Sequence, residues 1–334
     1  MDKFALFSAK ERREIIQERA TQMGVDFTIV EKDFWVCWTL KSLFALPGGN
    51  PSMTFKGGTS LSKAYGLIDR FSEDIDIATD LHFFLTQGVL DPEEPGISNT
   101  QRGKRIEYLD SACAAYVGEQ LLSTLGSQFD ARLRESNAWD LLVDRDDPNT
   151  LLFHYPKSDP TIVYGYLRDT VKIELGWKAR TAPHELKIVA PYLAEIPMLL
   201  EEPQVSVSVL TPDRTFWEKV TALHAESFRA TPKQFFSRHY YDVAAMLQTK
   251  TGQLASSDLA MLEDVRAFKE IYYPASWARY DLAKPGSLVV VPDEKMLRDL
   301  AIDYRNMRQM FLSDPPSFDS VLDRLKAFEQ GANR

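Results

Sequence analysis

Cysteine is scarce in this chain, with only Cys37 and Cys113 in 334 residues. A disulfide-stapled scaffold is therefore excluded. The five histidines and two cysteines fall nowhere at the spacing of a zinc site. No apolar run is long enough to span a bilayer. The opening Met-Asp-Lys-Phe-Ala-Leu-Phe lacks the long apolar stretch and small-residue end of a signal peptide. Repeats and low-complexity linkers are missing, and so are the glycine spacings of the Walker and dinucleotide-binding loops. Positive charge is also in deficit. A formal net charge of −9 argues against extensive non-specific binding to duplex DNA. It leaves room for a basic cleft on an acidic body, since basic residues gather near Lys56, Lys63 and Arg70 and again at Lys219, Arg229, Lys233 and Arg238. With 44% hydrophobic and 26% charged residues, the expectation is a soluble, cytoplasmic globular protein without a membrane partner.

Against these absences stands one dense segment. Phe55-Lys56-Gly57-Gly58-Thr59-Ser60-Leu61-Ser62-Lys63 is followed closely by Arg70-Phe71-Ser72-Glu73-Asp74-Ile75-Asp76-Ile77. It reads as strand, glycine turn, short helix and second strand ending in paired acids. On a strand, Asp74 and Asp76 point to one face and Ile75 and Ile77 to the other, with the two acidic Cα atoms roughly 6–7 Å apart. Carboxylates so placed can converge on Mg2+, with Mn2+ as the alternative, and share it with substrate phosphates. Gly57 and Gly58 permit unusual backbone angles and close approach of a ligand. Thr59 or Ser60 can cap the following helix, whose free N–H groups and hydroxyls would meet a phosphate, with Lys63 close by. A plain strand–turn–helix connection beside a polar strand end would use some of the same residues.

Three later residues extend the candidate set. In Thr170-Val171-Lys172-Ile173-Glu174-Leu175 a period of two puts Lys172 and Glu174 on one face. Glu174 is then either a third metal ligand or base, or half of a Lys–Glu pair on a solvated sheet face. Lys219 lies in a helix opened by Thr211-Pro212-Asp213, beside the face marked by Phe216, Val220 and Leu223. It can pair with a triphosphate oxygen, or snorkel at the edge of the core. Asp242 follows Arg238 by four residues on a second helix; the two can pair there, or Asp242 can stand beside Lys219. His239 offers a contact to RNA or a nucleotide, or is an ordinary partly buried histidine, the reading that keeps it outside the catalytic set. Phe228, Arg229, Lys233, Phe235, Phe236 and Arg238 offer rings and charge to an exposed nucleic-acid end, or form a core with a charged rim.

The ordered combination of motifs resembles the AbiEii/AbiGii-type nucleotidyltransferase toxins, a branch of the DNA polymerase beta-like nucleotidyltransferase superfamily. The likeness runs over roughly residues 27–247. It is carried by Gly57–Lys63, by Arg70–Asp76, by Val171–Leu175, and by Thr215–Leu223 with Ser237–Asp242, while Val30-Glu31-Lys32-Asp33-Phe34 is similar to the family's N-terminal helix. The resemblance implies Asp74, Asp76, Glu174, Lys219 and Asp242 as catalytic, Gly57, Gly58, Thr59, Ser60 and Lys63 as nucleotide-binding, and Asp74 and Asp76 as metal ligands. It further implies a nucleoside triphosphate as substrate, an RNA acceptor such as the 3′ end of tRNA, and an antitoxin encoded nearby. Protein nucleotidylation, phosphoryl transfer, sugar-nucleotide glycosyl transfer and a non-catalytic interaction role are the competing classes.

The expected fold is α+β, a small mixed-sheet core with a mainly helical C-terminal half. Residues 1–200 would form the nucleotidyltransferase domain with its N-terminal helices, and 201–334 a helical domain completing the active site. Two helices are expected within 8–45, a loop over 81–100, a long helix over 105–135, and strands within 150–177 and 185–191. Helices follow from Thr211, with Leu288-Val289-Val290-Val291 as an added strand and helices near 294–312 and 317–330.

Overall fold

The computed structural model describes residues 1–85, 88–133, 138–162 and 164–334. The chain forms two compact units. The first comprises Met1–Ala64 and Phe71–Leu210, the second Tyr65–Arg70 and Thr211–Arg334.

In the first unit α1 (Asp2–Ala5), α2 (Ala9–Met23) and α3 (Phe27–Leu43) precede β1 (Met53–Lys56) and α4 (Gly57–Lys63). Then come β2 (Ile75–Thr79), α5 (Leu81–Leu85), α6 (Asn99–Ala115) and α7 (Leu122–Leu133). β3 (Asp140–Val143), β4 (Thr150–His154), β5 (Val171–Gly176), β6 (His184–Val189) and β7 (Val205–Leu210) complete it. The strands make one seven-stranded sheet in the order β3-β4-β5-β2-β1-β7-β6. β1–β7 and β2–β5 are parallel and the remaining neighbours antiparallel, so the sheet is mixed, as expected for the α+β class.

α2 is started by a capping box between Ser8 and Glu11 and stopped by Gly24 at φ +68°. α3 is the spine of the unit. Every residue in it except Lys41 is buried. Trp35 stacks on Tyr155 at 5.6 Å and Trp38 on Phe153 at 5.8 Å, which ties the helix to β4 and the segment after it. A helix apolar on all sides belongs in a core, and any charge it carries must be paired there.

The second unit is helical: α8 (Pro212–Glu226), α9 (Ser237–Met246), α10 (Lys250–Ser257), α11 (Leu259–Tyr272), α12 (Glu294–Asn306) and α13 (Phe318–Ala332). Thr211 precedes Pro212 at the first turn of α8, as the sequence signal indicates. Phe216 and Trp217 of α8 pack on Phe328 of α13 at 5.7 and 6.1 Å.

Some expectations need correction. β3 and β7 were not foreseen, and α5 and the start of α6 fall in the stretch expected to be loop. The long helix is broken by a π-helical turn at Tyr116–Leu121, and its expected end at residues 134–135 lies outside the described residues. Leu288–Val291 is not a strand. Side chains satisfy its backbone instead: Val289 N–H donates to His224 Nδ1, and the N–H groups of Val290 and Val291 donate to Glu329 Oε2 at 2.6 and 3.0 Å.

Candidate active site

In the first unit the strand register places the candidate acids. Lys56 on β1 is paired with Asp76 on β2, Asp76 with Glu174 on β5, and Glu174 with Thr150 on β4. Residues paired directly across strands share a face. One row of one face thus runs Lys56, Asp76, Glu174, Thr150. Ile75, Ile77, Ile173 and Leu175 alternate with them and are buried on the other side. Asp74 lies just before β2, and its carbonyl accepts a 2.5 Å hydrogen bond from Thr59 Oγ1.

Asp76 and Glu174 are close enough for their carboxyls to share a hydrogen bond. Burial, and then the neighbouring Asp76, push the Glu174 carboxyl up to about 7, although Lys172 also donates to it. Two acids held against each other suit a divalent cation. Among the described residues no group of three or more acidic, histidine or cysteine side chains forms a ready-made metal cage.

Gly57 is fixed in this position by two independent constraints. Its φ is +78°, and a Cβ there would lie 2.0 Å from Asp76 Oδ2 and 2.8 Å from Asp76 Cγ. Only a residue without a side chain lets the turn close on the carboxylate. Gly57→Ala is expected to cost about 1–2 kcal/mol from the left-handed backbone alone. Thermal melting of the purified variant checks it, and an unchanged melting temperature would show that the turn relaxes freely.

The residues expected around the phosphates divide. The Ser60 hydroxyl donates to the Gly57 carbonyl at 2.9 Å, and the Thr59 hydroxyl to Ser72 Oγ as well as the Asp74 carbonyl; both side chains are fully buried. They fasten α4 to the turn and to the approach to β2. Lys63, expected beside the phosphates, is turned into the core: its Nζ lies 2.6 Å from Asp33 Oδ1 and 3.9 Å from the centre of the Tyr192 ring. Burial would lower the Lys63 pKa, but Asp33 and its neighbours raise it, so the cation is a permanent partner of Asp33. Lys56, at the N-cap of α4, makes no side-chain cap bond to the helix start.

Sequence reasoning gave no role to the charges of α3, which support these elements one after another. Glu31 accepts from Ser158 N–H at 2.6 Å and from the Tyr164 hydroxyl at 2.9 Å. Lys32 donates to Glu73 and to the Arg168 carbonyl at 2.7 Å. Asp33 holds Lys63 and accepts from Tyr192 N–H at 2.6 Å. The available signal was an unbroken Glu-Lys-Asp inside a helix otherwise apolar all round, since charges so buried need specified partners.

In the second unit Asp242 is the centre of a buried trio. Arg70 grips it with two bonds, Nε to Oδ1 at 2.7 Å and Nη2 to Oδ2 at 2.8 Å, and Lys219 Nζ lies 2.9 Å from Oδ2. Burial would raise the Asp242 carboxyl, but Arg70 and then Lys219 outweigh it and hold the acid well below the usual carboxylate range. Burial lowers the Lys219 pKa; Asp242 opposes this and Arg70 adds to it. Arg70, expected near phosphate, is therefore committed to Asp242, and Asp242 stands beside Lys219. His239 Nδ1 is 3.3 Å from Lys219 Nζ, and burial followed by that cation keeps the imidazole neutral. Of the residues offered to a nucleic-acid end, Phe236 is buried, Phe228 and Phe235 are exposed, and Arg229 lies near Glu226 and over the Trp277 ring.

A family model described as the nucleotidyl transferase AbiEii toxin of type IV toxin–antitoxin systems matches residues 38–324. No curated protein matches the chain. Among solved structures the chain is similar to MenT4, a nucleotidyltransferase toxin from Mycobacterium tuberculosis H37Rv, at 14% identity and a TM-score of 0.47, over 96% of this chain and 99% of that one.

Proposed function

Because the chain belongs to the AbiEii family of nucleotidyltransferase toxins and is therefore a nucleotidyltransferase, we propose that it moves a nucleoside monophosphate from a nucleoside triphosphate to an RNA hydroxyl, with the 3′ end of tRNA as acceptor. The observation that carries this reading is the row Lys56–Asp76–Glu174, with the Gly57 turn closed directly onto the Asp76 carboxylate. A phosphate entering over that turn meets the start of α4 and the acids together.

Asp74 and Asp76 are the residues we assign to a divalent cation, with Glu174 as the third carboxylate. When bound, such an ion offsets the charge of the phosphoryl oxygens and orients them for in-line displacement. The chain itself supplies the rest. Gly57 and Gly58 admit the phosphates close to the backbone. Thr59 and Ser60 hold that backbone in shape from beneath, and Lys63 does so through Asp33 and the Tyr192 ring. Lys219 and Asp242 enter through their motif positions and through charge: with Arg70 they make two cations on one carboxylate, a net positive cluster suited to an anion. The family implies an antitoxin counterpart. No helix among the described residues is long and apolar enough to cross a membrane.

The test is direct. The protein is incubated with total RNA, magnesium and each nucleoside triphosphate labelled at the alpha phosphate, and pyrophosphate is followed in parallel. Label retained on tRNA 3′ ends, released pyrophosphate and loss of both on adding a chelator are the expected results. Transfer that persists at full rate with all divalent ions chelated would remove the metal from the reading. Label on protein, or movement of the gamma phosphate, would redirect it to protein nucleotidylation or to a kinase.

A further inference from the structure

The catalytic face of the sheet does not end at Glu174. On β4 the residues after Thr150 on that face are Leu152 and His154, and Leu152 is paired with Lys172, the neighbour of Glu174 on its strand. Leu152 and His154 form one wall of a cavity of about 580 Å³ whose other walls include Lys157, Tyr164, Arg168 and Thr170. Its volume is within the range of small-molecule sites. Four strand residues, about 13 Å, separate the Glu174 row from His154.

The walls are built rather than incidental. The Tyr164 hydroxyl and Ser158 N–H are both bound by the buried Glu31 of α3. Arg168 is pinned through its backbone on both sides, its N–H donating to Glu73 Oε2 at 3.0 Å and its carbonyl accepting from Lys32 at 2.7 Å. Its side chain is exposed and lines the cavity. Lys157 is engaged by Asp169 at 2.5 Å. Among the described residues no carboxylate takes the Arg168 guanidinium. Its positive charge lies near both Lys32 and Lys172. A rigidly based arginine over an apolar and aromatic wall is what recognises a phosphate attached to a nucleoside.

We propose that this cavity is a nucleotide subsite in which Arg168 binds a phosphate and Leu152, Ile162 and Tyr164 accept the attached sugar and base. The inference rests on the nucleotidyl-transfer reading above. The shared chemistry has two sources, the incoming triphosphate and the terminal nucleotide of the acceptor RNA.

Binding measurements separate them without requiring turnover. ATP, GTP, CTP and UTP, and separately a single-stranded oligoribonucleotide ending in CCA, are titrated into wild type, Arg168→Ala, Arg168→Lys and Leu152→Trp. Arg168 is exposed, so its variants are expected to melt like wild type. Losing a charge-assisted contact should weaken one ligand by about tenfold to a hundredfold. Arg168→Lys should recover part of that, and Leu152→Trp should weaken the same ligand by filling the space. Weakened triphosphate binding assigns the subsite to the donor; weakened oligonucleotide binding assigns it to the acceptor. Both affinities within twofold of wild type in Arg168→Ala and Leu152→Trp would overturn the proposal, whether or not the wild-type protein transfers nucleotides.

Discussion

Asp76→Asn is expected to lower nucleotide transfer by about a hundredfold or more, since in the proposed reading the carboxylate lost is one that would hold the metal and with it the phosphate geometry. The fold should tolerate it. Asp76 and Glu174 are two acids sharing one hydrogen bond, and burial with mutual repulsion keeps the Glu174 carboxyl up near 7. An amide in place of one carboxylate relieves that repulsion, so the variant should melt at or above the wild-type temperature. The combination distinguishes chemistry from structure: a lost activity in an intact protein. Initial rates with labelled triphosphate, measured beside a melting curve, decide it. Wild-type rates in Asp76→Asn would remove the row of acids from the reaction.

The largest effect on stability is expected at Asp242. The side chain is fully buried and shared by Arg70 and Lys219, themselves nearly buried. Asp242→Ala takes away the one carboxylate that the two buried cations share. Breaking a buried ion pair from one side typically costs about 3–5 kcal/mol, a large part of the total stability of a protein. A fall of roughly 10 °C in melting temperature follows for a unit of this size. Replacing the whole trio, as Arg70→Met, Lys219→Met and Asp242→Leu together, should return much of the loss, because apolar groups need no counter-charge. A single Asp242→Ala variant that melts with wild type would mean the cations reach water. The same acid gives a pH signature. Its folded-state pKa is depressed below the ordinary carboxylate value of 3.8, so its stabilisation is complete above about pH 4. It is lost as pH falls through the depressed value, and unfolding of the second unit should steepen on the acid side.

Much of this was legible in the residues. The Gly57-Gly58 turn and the placing of Asp76 between buried Ile75 and Ile77 follow from two local periods, and Glu174 joins Asp76 because its strand alternates in the same way, whereas Asp74 falls just before the strand it was expected to share. The later helices announce themselves through caps and apolar spacing, as Thr211-Pro212 does for α8. What could not be read locally is which side chain each charge meets. Lys63 and Arg70 look like phosphate ligands from their neighbourhood in sequence, yet each is claimed by a distant acid, Asp33 and Asp242 respectively. Thr59 and Ser60 carry hydroxyls suited to a ligand, but folding turns them to their own backbone. Leu288–Val291 has the composition of a strand, and the carboxylate of Glu329 and the ring of His224 satisfy it first. In each case a contact over long sequence separation overrode a sound local preference.

The path of the chain between α4 and β2 has a consequence for inheritance. Residues 65–70 belong to the second unit, where Asp69 N–H donates to the Tyr241 hydroxyl and Arg70 clasps Asp242, while the chain on either side of them belongs to the first. The helical unit is therefore not a module that one recombination breakpoint can move. A crossover near codon 210 would hand on Asp242 and Lys219 without the arginine that completes them, and would leave the donor with an orphaned six-residue loop. Exchange between relatives must carry both segments or remake the trio afterwards, so the short loop and the long helical tail are bound to diverge together.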